Sequence, residues 1–373
     1  MTKRFTFGLF LWLINACFSA VYAQDDIAYQ TPPASIADII DAPANTQVSI
    51  DTRGQYVLLM QPAQMPTIEE LSQPELRLAG LRINPQTNGP SRGFTIIGLK
   101  LKNLSTGQET NIEGLPAKLA ASGIRWSPND SRIAFVQTET DHLDLYVIEV
   151  ASAKAQKVNQ SALNGVLGTA YDWVADSQTL LALTIPDGRG SMPVPNRVPN
   201  GPVVQENLGK KAPARTFQDL LKNPSDEAIF EYLGTSQLCK IDLKNKKEYK
   251  LGAPAMYNYI SPSPDAQYIL VKSLHRPFSY LVTADRFPLR VDVLDFDGKV
   301  VHQQVDLPLF DNIPSGFDAV AAGQRGHLWR ADAAATLVWV EAQDEGNPKK
   351  EVAFRDKVWM LKAPFKAQPE LLA

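Results

Sequence analysis

Gly89-Pro90-Ser91-Arg92-Gly93 matches the G-x-S-x-G pattern of a serine nucleophile. Such a serine works when a strand delivers it to a sharp elbow and a helix leads away, so that the hydroxyl stands beside a base and an oxyanion hole. Here a Pro- and Asn-rich loop precedes Ser91, and an apolar strand at residues 94–99 follows it. Pro90 lacks the N–H and the torsional freedom of an elbow residue. The pattern reads as a turn whose glycines bend the backbone into the next strand, and no catalytic residue is assigned.

The remaining chemistry-bearing residues are sparse. His142, His275, His302 and His327 are the only four histidines, and none has a metal-ligand spacing. Each reads as a strand or loop residue, with His275 the least bland. Asp295-Phe296-Asp297-Gly298 has the start of a calcium loop but lacks its further ligands and terminal Glu. A tight hairpin turn explains it. Cys239, in Gln-Leu-Cys-Lys-Ile-Asp, reads as a small buried apolar residue without a C-x-x-C partner. Carboxylates are plentiful, but no spacing singles out a pair. No metal and no cofactor are expected.

Basic residues are more suggestive. Lys210, Lys211 and Arg215 lie near His275-Arg276-Pro277-Phe278-Ser279-Tyr280 in character, combining charge with aromatic groups. An acidic ligand side chain is best met by a guanidinium fork, which Arg supplies and Lys does not. The competing reading for Arg276 is an ion pair with a nearby Asp or Glu.

The elements that must position these residues are β-hairpins. Residues 124–136, IRWSPNDSRIAFV, alternate apolar and polar positions on either side of a turn built from Pro128, Asn129 and Asp130. The pattern recurs at 48–60, 171–183, 259–271 and 327–340. Each copy is followed by a second hairpin, the clearest turning at Asp297-Gly298. Four antiparallel strands per unit are what one propeller blade requires. The expected fold is therefore all-β, an open or incomplete propeller of about five four-stranded blades with short helical insertions. The blades are expected near residues 48–112, 124–158, 170–251, 257–305 and 327–372. A helix is expected over 67–81, opened by a Thr67/Glu70 capping box. The largest insertion, 185–234, begins Pro/Gly-rich and is expected to hold two short helices, 216–222 and 225–233, broken at Pro224.

Residues 1–23 read as a secretory signal, with Lys3 and Arg4 before an apolar run and Val21-Tyr22-Ala23 before the cleavage point. An N-terminal extension, 24–47, follows. The apolar run is short for a membrane span, and Cys17 sits in a poor lipid-anchor context. The mature chain is expected to be exported, periplasmic or extracellular, with no membrane segment after cleavage. The full sequence has a formal charge of −3, more negative once Lys3 and Arg4 leave, which gives no footprint for nucleic acid. With Cys17 removed, no internal disulfide is possible.

Four longer segments carry a resemblance. They are PELRLAGLRINPQTNGPSRG (74–93), QENLGKKAPARTFQDLLKNPSDEAIFEY (205–232), SPSPDAQYILVKSLHRPFSYLV (261–282) and RGHLWRADAAATLVWVEAQDEG (325–346). With the repeated hairpins, they resemble the propeller of the prolyl oligopeptidase family of serine peptidases, nearest the glutamyl-endopeptidase-like branch. The resemblance runs from about Ile36 to the end of the sequence. It implies an N-terminal propeller covering a C-terminal α/β-hydrolase domain that carries the Ser, Asp and His of the triad. Family propellers usually have seven blades, whereas this sequence stops at Ala373, about where a fifth ends. The reading is of the propeller portion alone, inactive by itself, gating and recognising peptide substrates for a hydrolase domain. It implies further that Arg276, with Arg215 and His275, meets a substrate carboxylate. Open blade edges would allow self-association. The alternative is a non-catalytic propeller that binds a protein or peptide partner.

Overall fold

The computed structural model describes residues 30–194, 217–311 and 317–373. Two compact units divide the chain at Ala44. The described part of the first holds one short helix, α1 (Ala34–Ile40), with no buried residue. The second unit is mostly β, and its sheets are antiparallel. No helix among the described residues is long and apolar enough to cross a membrane.

The strands sort into successive four-stranded meanders. The first contains β1 (Gln47–Ile50), β2 (Tyr56–Pro62), β6 (Ile96–Asn103) and β7 (Glu109–Asn111). Between β2 and β6 lies a small separate sheet of β3 (Leu76–Leu78), β4 (Leu81–Asn84) and β5 (Gly89–Pro90). The second meander is β8 (Ala121–Trp126), β9 (Arg132–Thr138), β10 (Leu143–Glu149) and β11 (Lys154–Lys157). The strand pairing of Ile96 with Ala121 and an isolated bridge between Glu113 and Lys154 link it to the first. The third runs β12 (Tyr171–Trp173), β13 (Thr179–Thr184), β14 (Ser236–Asp242) and the first half of β15 (Lys247–Pro262). The second half of β15 opens the fourth, with β16 (Tyr268–Leu274), β17 (Leu289–Asp295) and β18 (Val300–Leu307). β19 (Gln324–Trp329), β20 (Thr336–Ala342), β21 (Asp356–Lys362) and β22 (Glu370–Leu371) make the fifth.

The period-2 pattern explains how the meanders pack. Successive side chains on a strand face opposite ways, so one strand can serve two seams. On β9, Ile133 and Phe135 join Leu58, Leu99 and Leu101 of the first meander. Ala134 and Val136 of the same strand instead join Tyr171, Leu180 and Ala182 of the third. β13 repeats this, with Leu181 and Leu183 facing Ile269 and Val271 of the fourth meander. Leu270 then faces Leu337 and Trp339 of the fifth. Burying a full side chain of this kind contributes about 1.5–3 kcal/mol, so these seams carry the stability of the stack.

Two expected helical stretches fold otherwise. Over 67–81 only α2 (Ile68–Leu71) is helical, and its Thr67/Glu70 capping box is present. Pro74 stops further winding. Beyond it Leu76, Leu78, Leu81 and Ile83 alternate as strands around Ala79 and Gly80, at φ 53° and 84°. Both residues with positive φ make the two-residue hairpin turn favoured by strand twist. In the large insertion, Pro224 starts a helix instead of breaking one. α3 (Pro224–Gly234) is capped by Asn223, whose side chain accepts the Asp226 N–H at 2.9 Å. Proline is well placed in a first helical turn because its missing N–H would have no partner there. Residues 217–222 are not helical.

Candidate functional site

In an antiparallel meander, the second-to-third connection and the link to the next meander lie at the same end of the strands. The long connections use that end. They are residues 63–95 between β2 and β6, the described part of 185–235 between β13 and β14, and 275–288 between β16 and β17. Their apolar side chains form one cluster: Leu78 and Ile83 from the small sheet, Ile229, Phe230 and Leu233 from α3, and Phe278, Val282 and Phe287 from the third connection. Phe230 sits edge-on to Phe278 and Phe287, with ring centroids 5.3 and 5.8 Å away. Such pairs add about 0.5–1.5 kcal/mol beyond their buried area.

Arg276 lies on the polar side of this cluster. Its guanidinium donates to Glu227 and, at 3.0 and 3.2 Å, to Glu231, one helical turn further along α3. It also lies over the Phe278 ring, 4.8 Å from the centroid. The two carboxylates, Glu231 foremost, raise the affinity of Arg276 for its proton. Beside it, burial first and Glu227 second push the Tyr280 phenol up to about 12. His275 contacts the Arg276 carbonyl through Nδ1 at 2.7 Å and the Asp306 carboxylate through Nε2 at 2.8 Å. The structure therefore brings Arg276 and His275 together, with Arg276 tied to α3 by two ion pairs. Arg215, Lys210 and Lys211 lie outside the described residues.

Arg189 was not singled out by sequence reasoning. Its guanidinium lies over the Tyr232 ring at 4.1 Å and donates to Asn88 Oδ1 at 2.8 Å. Asn88 and Asn164 in turn donate to the Leu233 carbonyl at 3.1 and 2.9 Å. A cation and two amides thus satisfy the C-terminal end of α3, where carbonyls lack helical partners and negative potential collects. Arg189 as the lone cation in the Pro/Gly run 186–192 was the available signal.

The other candidates are structural. Ser91 Oγ donates to Glu75 at 2.7 Å, between the two-residue strand β5 and the start of β6. That is not a strand-to-helix elbow. Cys239 contacts Thr184 Oγ1 at 3.3 Å, and burial pushes its thiol up to about 11, which keeps it protonated. His327 is 3% exposed, and burial pushes its imidazole down to about 4. His142 bridges Asp141 and Asp144, and His302 contacts Gln304. No hydroxyl or thiol partners a histidine among the described residues, and no group of three metal-ligating side chains forms there.

No protein-family model matches the chain. It is 36% identical over 362 residues to the probable chloroplastic glutamyl endopeptidase of Oryza sativa subsp. japonica, covering 93% of this chain and 38% of that protein. Against the corresponding protein of Arabidopsis thaliana it is 35% identical over 373 residues, covering 95% of this chain and 38% of the relative. Among solved structures, the acylaminoacyl peptidase of Pyrococcus horikoshii aligns with 14% identity and a TM-score of 0.39, over 86% of this chain and 38% of that one. The chain thus spans well under half the length of these relatives. Along nearly all of its own length it is a homologue of the N-terminal part of the glutamyl endopeptidases, and so a relative of the prolyl oligopeptidase-family peptidases.

Proposed function

We propose that this chain is the propeller portion of a glutamyl-endopeptidase-like serine peptidase, gating and recognising peptides for a catalytic α/β-hydrolase domain. The observation that carries the reading is the identity to two glutamyl endopeptidases along more than nine-tenths of the chain. The serial stack supports it. The second, third and fourth meanders each bury one face on the meander before and one on the meander after, the packing of blades in a propeller. In this reading the five meanders are five blades. The end that carries α3 and the small sheet is the end that meets substrate or the hydrolase domain. Peptides are the ligands, and the protein works after export to the periplasm or beyond.

The test is to assay the purified chain against an unfolded, Glu-rich polypeptide, measuring binding and cleavage separately. Binding without cleavage is expected, because nucleophile and base are not brought together among the described residues. Cleavage that survives repurification and is abolished by a substitution within 30–373 would overturn the reading. Terminal sequencing of the protein recovered from its native cells tests export, with Gln24 expected as the first residue.

A further inference from the structure

The cations of the stack are mostly balanced. Arg125 pairs with Asp172 at 3.1 Å, Arg290 with Asp292 at 2.7 Å, Arg325 with Asp356 at 2.6 Å, and Arg276 with two glutamates. Lys272 on β16 differs. It is half-buried, and no carboxylate lies within ion-pair distance of it among the described residues. Its ammonium sits over the Tyr259 ring, 4.3 Å from the centroid. Lys272 faces the same way as Leu270, into the seam between the fourth and fifth meanders, and it lies two residues from the end of β16 that leads to His275. Tyr259 is its cross-strand partner on β15, and Val291 its partner on β17.

The surroundings make this charge costly as it stands. Burial holds the Lys272 ammonium below the ordinary lysine range. The nearby His327 ring is stacked at 6.4 Å on Trp339, with Nε2 3.1 Å from the Gln324 side-chain oxygen, and stays neutral near pH 7. It therefore walls the site without adding or cancelling charge. A desolvated cation with no counter-charge gains more from an arriving anion than a solvated one does, because the interaction strengthens as the local dielectric falls. Arg276, already held by Glu227 and Glu231, has far less to gain.

We propose that Lys272 and Tyr259 form a carboxylate-accepting subsite at the seam of the fourth and fifth meanders. Lys272 supplies the charge, and the Tyr259 hydroxyl, which has no hydrogen-bond partner among the described residues, supplies a second donor. The carboxylate is an acidic group of a bound peptide, an assignment that rests on the function proposed above.

The test uses the purified chain with its lysines reductively methylated with carbon-13, so that each dimethylammonium gives an NMR signal. Lys272→Arg identifies the Lys272 signal by its loss. The probes are acetate, N-acetyl-Gly-Glu-Gly-amide, its Gln counterpart, and N-acetyl-triglycine with a free terminal carboxylate. The expected result is a saturable shift of the Lys272 signal with the Glu peptide. Affinity should exceed that for the Gln peptide by about tenfold, the worth of one charge-assisted hydrogen bond. In calorimetric titrations of the unmethylated chain, Lys272→Gln should erase that preference, and Arg125→Ala, at an ion pair outside this seam, should keep it. A shift with triglycine but not with the Glu peptide supports the subsite and makes a chain terminus its ligand. A shift with acetate alone supports the subsite while defeating the peptide reading. A Lys272 signal that moves with no probe overturns the proposal.

Discussion

Asp265 accepts the backbone N–H of Ala335 at 3.2 Å, tying the β15–β16 turn to the β19–β20 turn of the next meander. The same carboxylate accepts the Ser263 hydroxyl at 2.6 Å and the Gln267 N–H at 3.1 Å. Equivalent turns elsewhere are also stapled. Thr52 donates to Asp130, and Ser177 Oγ accepts the Asn129 N–H at 3.1 Å. The acidic turn residue that made the hairpins legible thus joins neighbouring meanders at the end opposite the apolar cluster.

Asp265→Ala should lower unfolding free energy by about 1–2 kcal/mol, the cost of leaving these donors without their acceptor. Burial works against the Asp265 charge, but the Ser263, Gln267 and Ala335 donors outweigh it and hold the carboxyl below its ordinary value. Its contribution is therefore full above the unfolded value near 4 and fades as pH falls through the folded one. Urea unfolding at pH 7 and pH 3 should show the wild-type advantage over Asp265→Ala shrinking at the lower pH. An equal advantage at both would refute the staple.

His142 has the opposite sign. Its Nδ1 lies 2.6 Å from Asp141 and its Nε2 3.2 Å from Asp144, a buried carboxylate that also holds Lys157 at 2.8 Å and Asn159 at 3.1 Å. The Asp141 hydrogen bond is the main cause that raises the imidazole above its ordinary range, against the effect of burial. Stability from this group is complete below about pH 6.5 and is lost as pH rises through the folded value. His142→Gln should cost stability at pH 5.5 and little at pH 9. Thermal unfolding of both proteins across that range checks the sign.

Gly80 and Gly54 separate backbone strain from crowding. Both have positive φ, 84° and 64°. A Cβ on Gly80 would fall 2.3 Å from Thr283 Cγ2, whereas one on Gly54 would meet nothing within 4 Å. Gly54→Ala should cost about 1 kcal/mol, the left-handed penalty alone. Gly80→Ala should add an overpacking cost of about 1–3 kcal/mol. Equal denaturation midpoints for the two variants would mean that the Ala79–Gly80 turn does not press on Thr283 in solution.

Association should follow from the outer faces of the stack. Val48 and Ile50 on β1 are 59% and 57% exposed, and Leu328 on β19 is 47% exposed beside the half-buried Val338 and Met360. Apolar sheet faces open to water favour self-association. The purified chain should sediment as a concentration-dependent mixture, and Ile50→Lys with Leu328→Lys should shift it toward monomer. Unchanged sedimentation would exclude these faces.

The hairpins were legible because turn chemistry and alternation are local. Pro128, Asn129 and Asp130 announce their turn whatever the rest of the chain does. The 67–81 stretch misled because a true capping box opens it. Only the contact of Ala79 and Gly80 with residues 219 and 283–284 secures the hairpin that follows. The partners of Arg276 could not be read either, since Glu227 and Glu231 are 49 and 45 residues away. Lys272 was passed over for a similar reason. What sets it apart is a missing neighbour, and a sequence does not display an absence of that kind.

β15 runs unbroken for 16 residues, pairing with β14 along its first half and β16 along its second. Its third and fourth meanders therefore share a splint, with no spare chain between them. The first and second are joined more lightly, by the Ile96–Ala121 pairing and a bridge between Glu113 and Lys154. If the stack opens to admit a bulky guest, the breach belongs away from that shared strand. The pair on the splint would swing as a single leaf, carrying α3 and Arg276 with it.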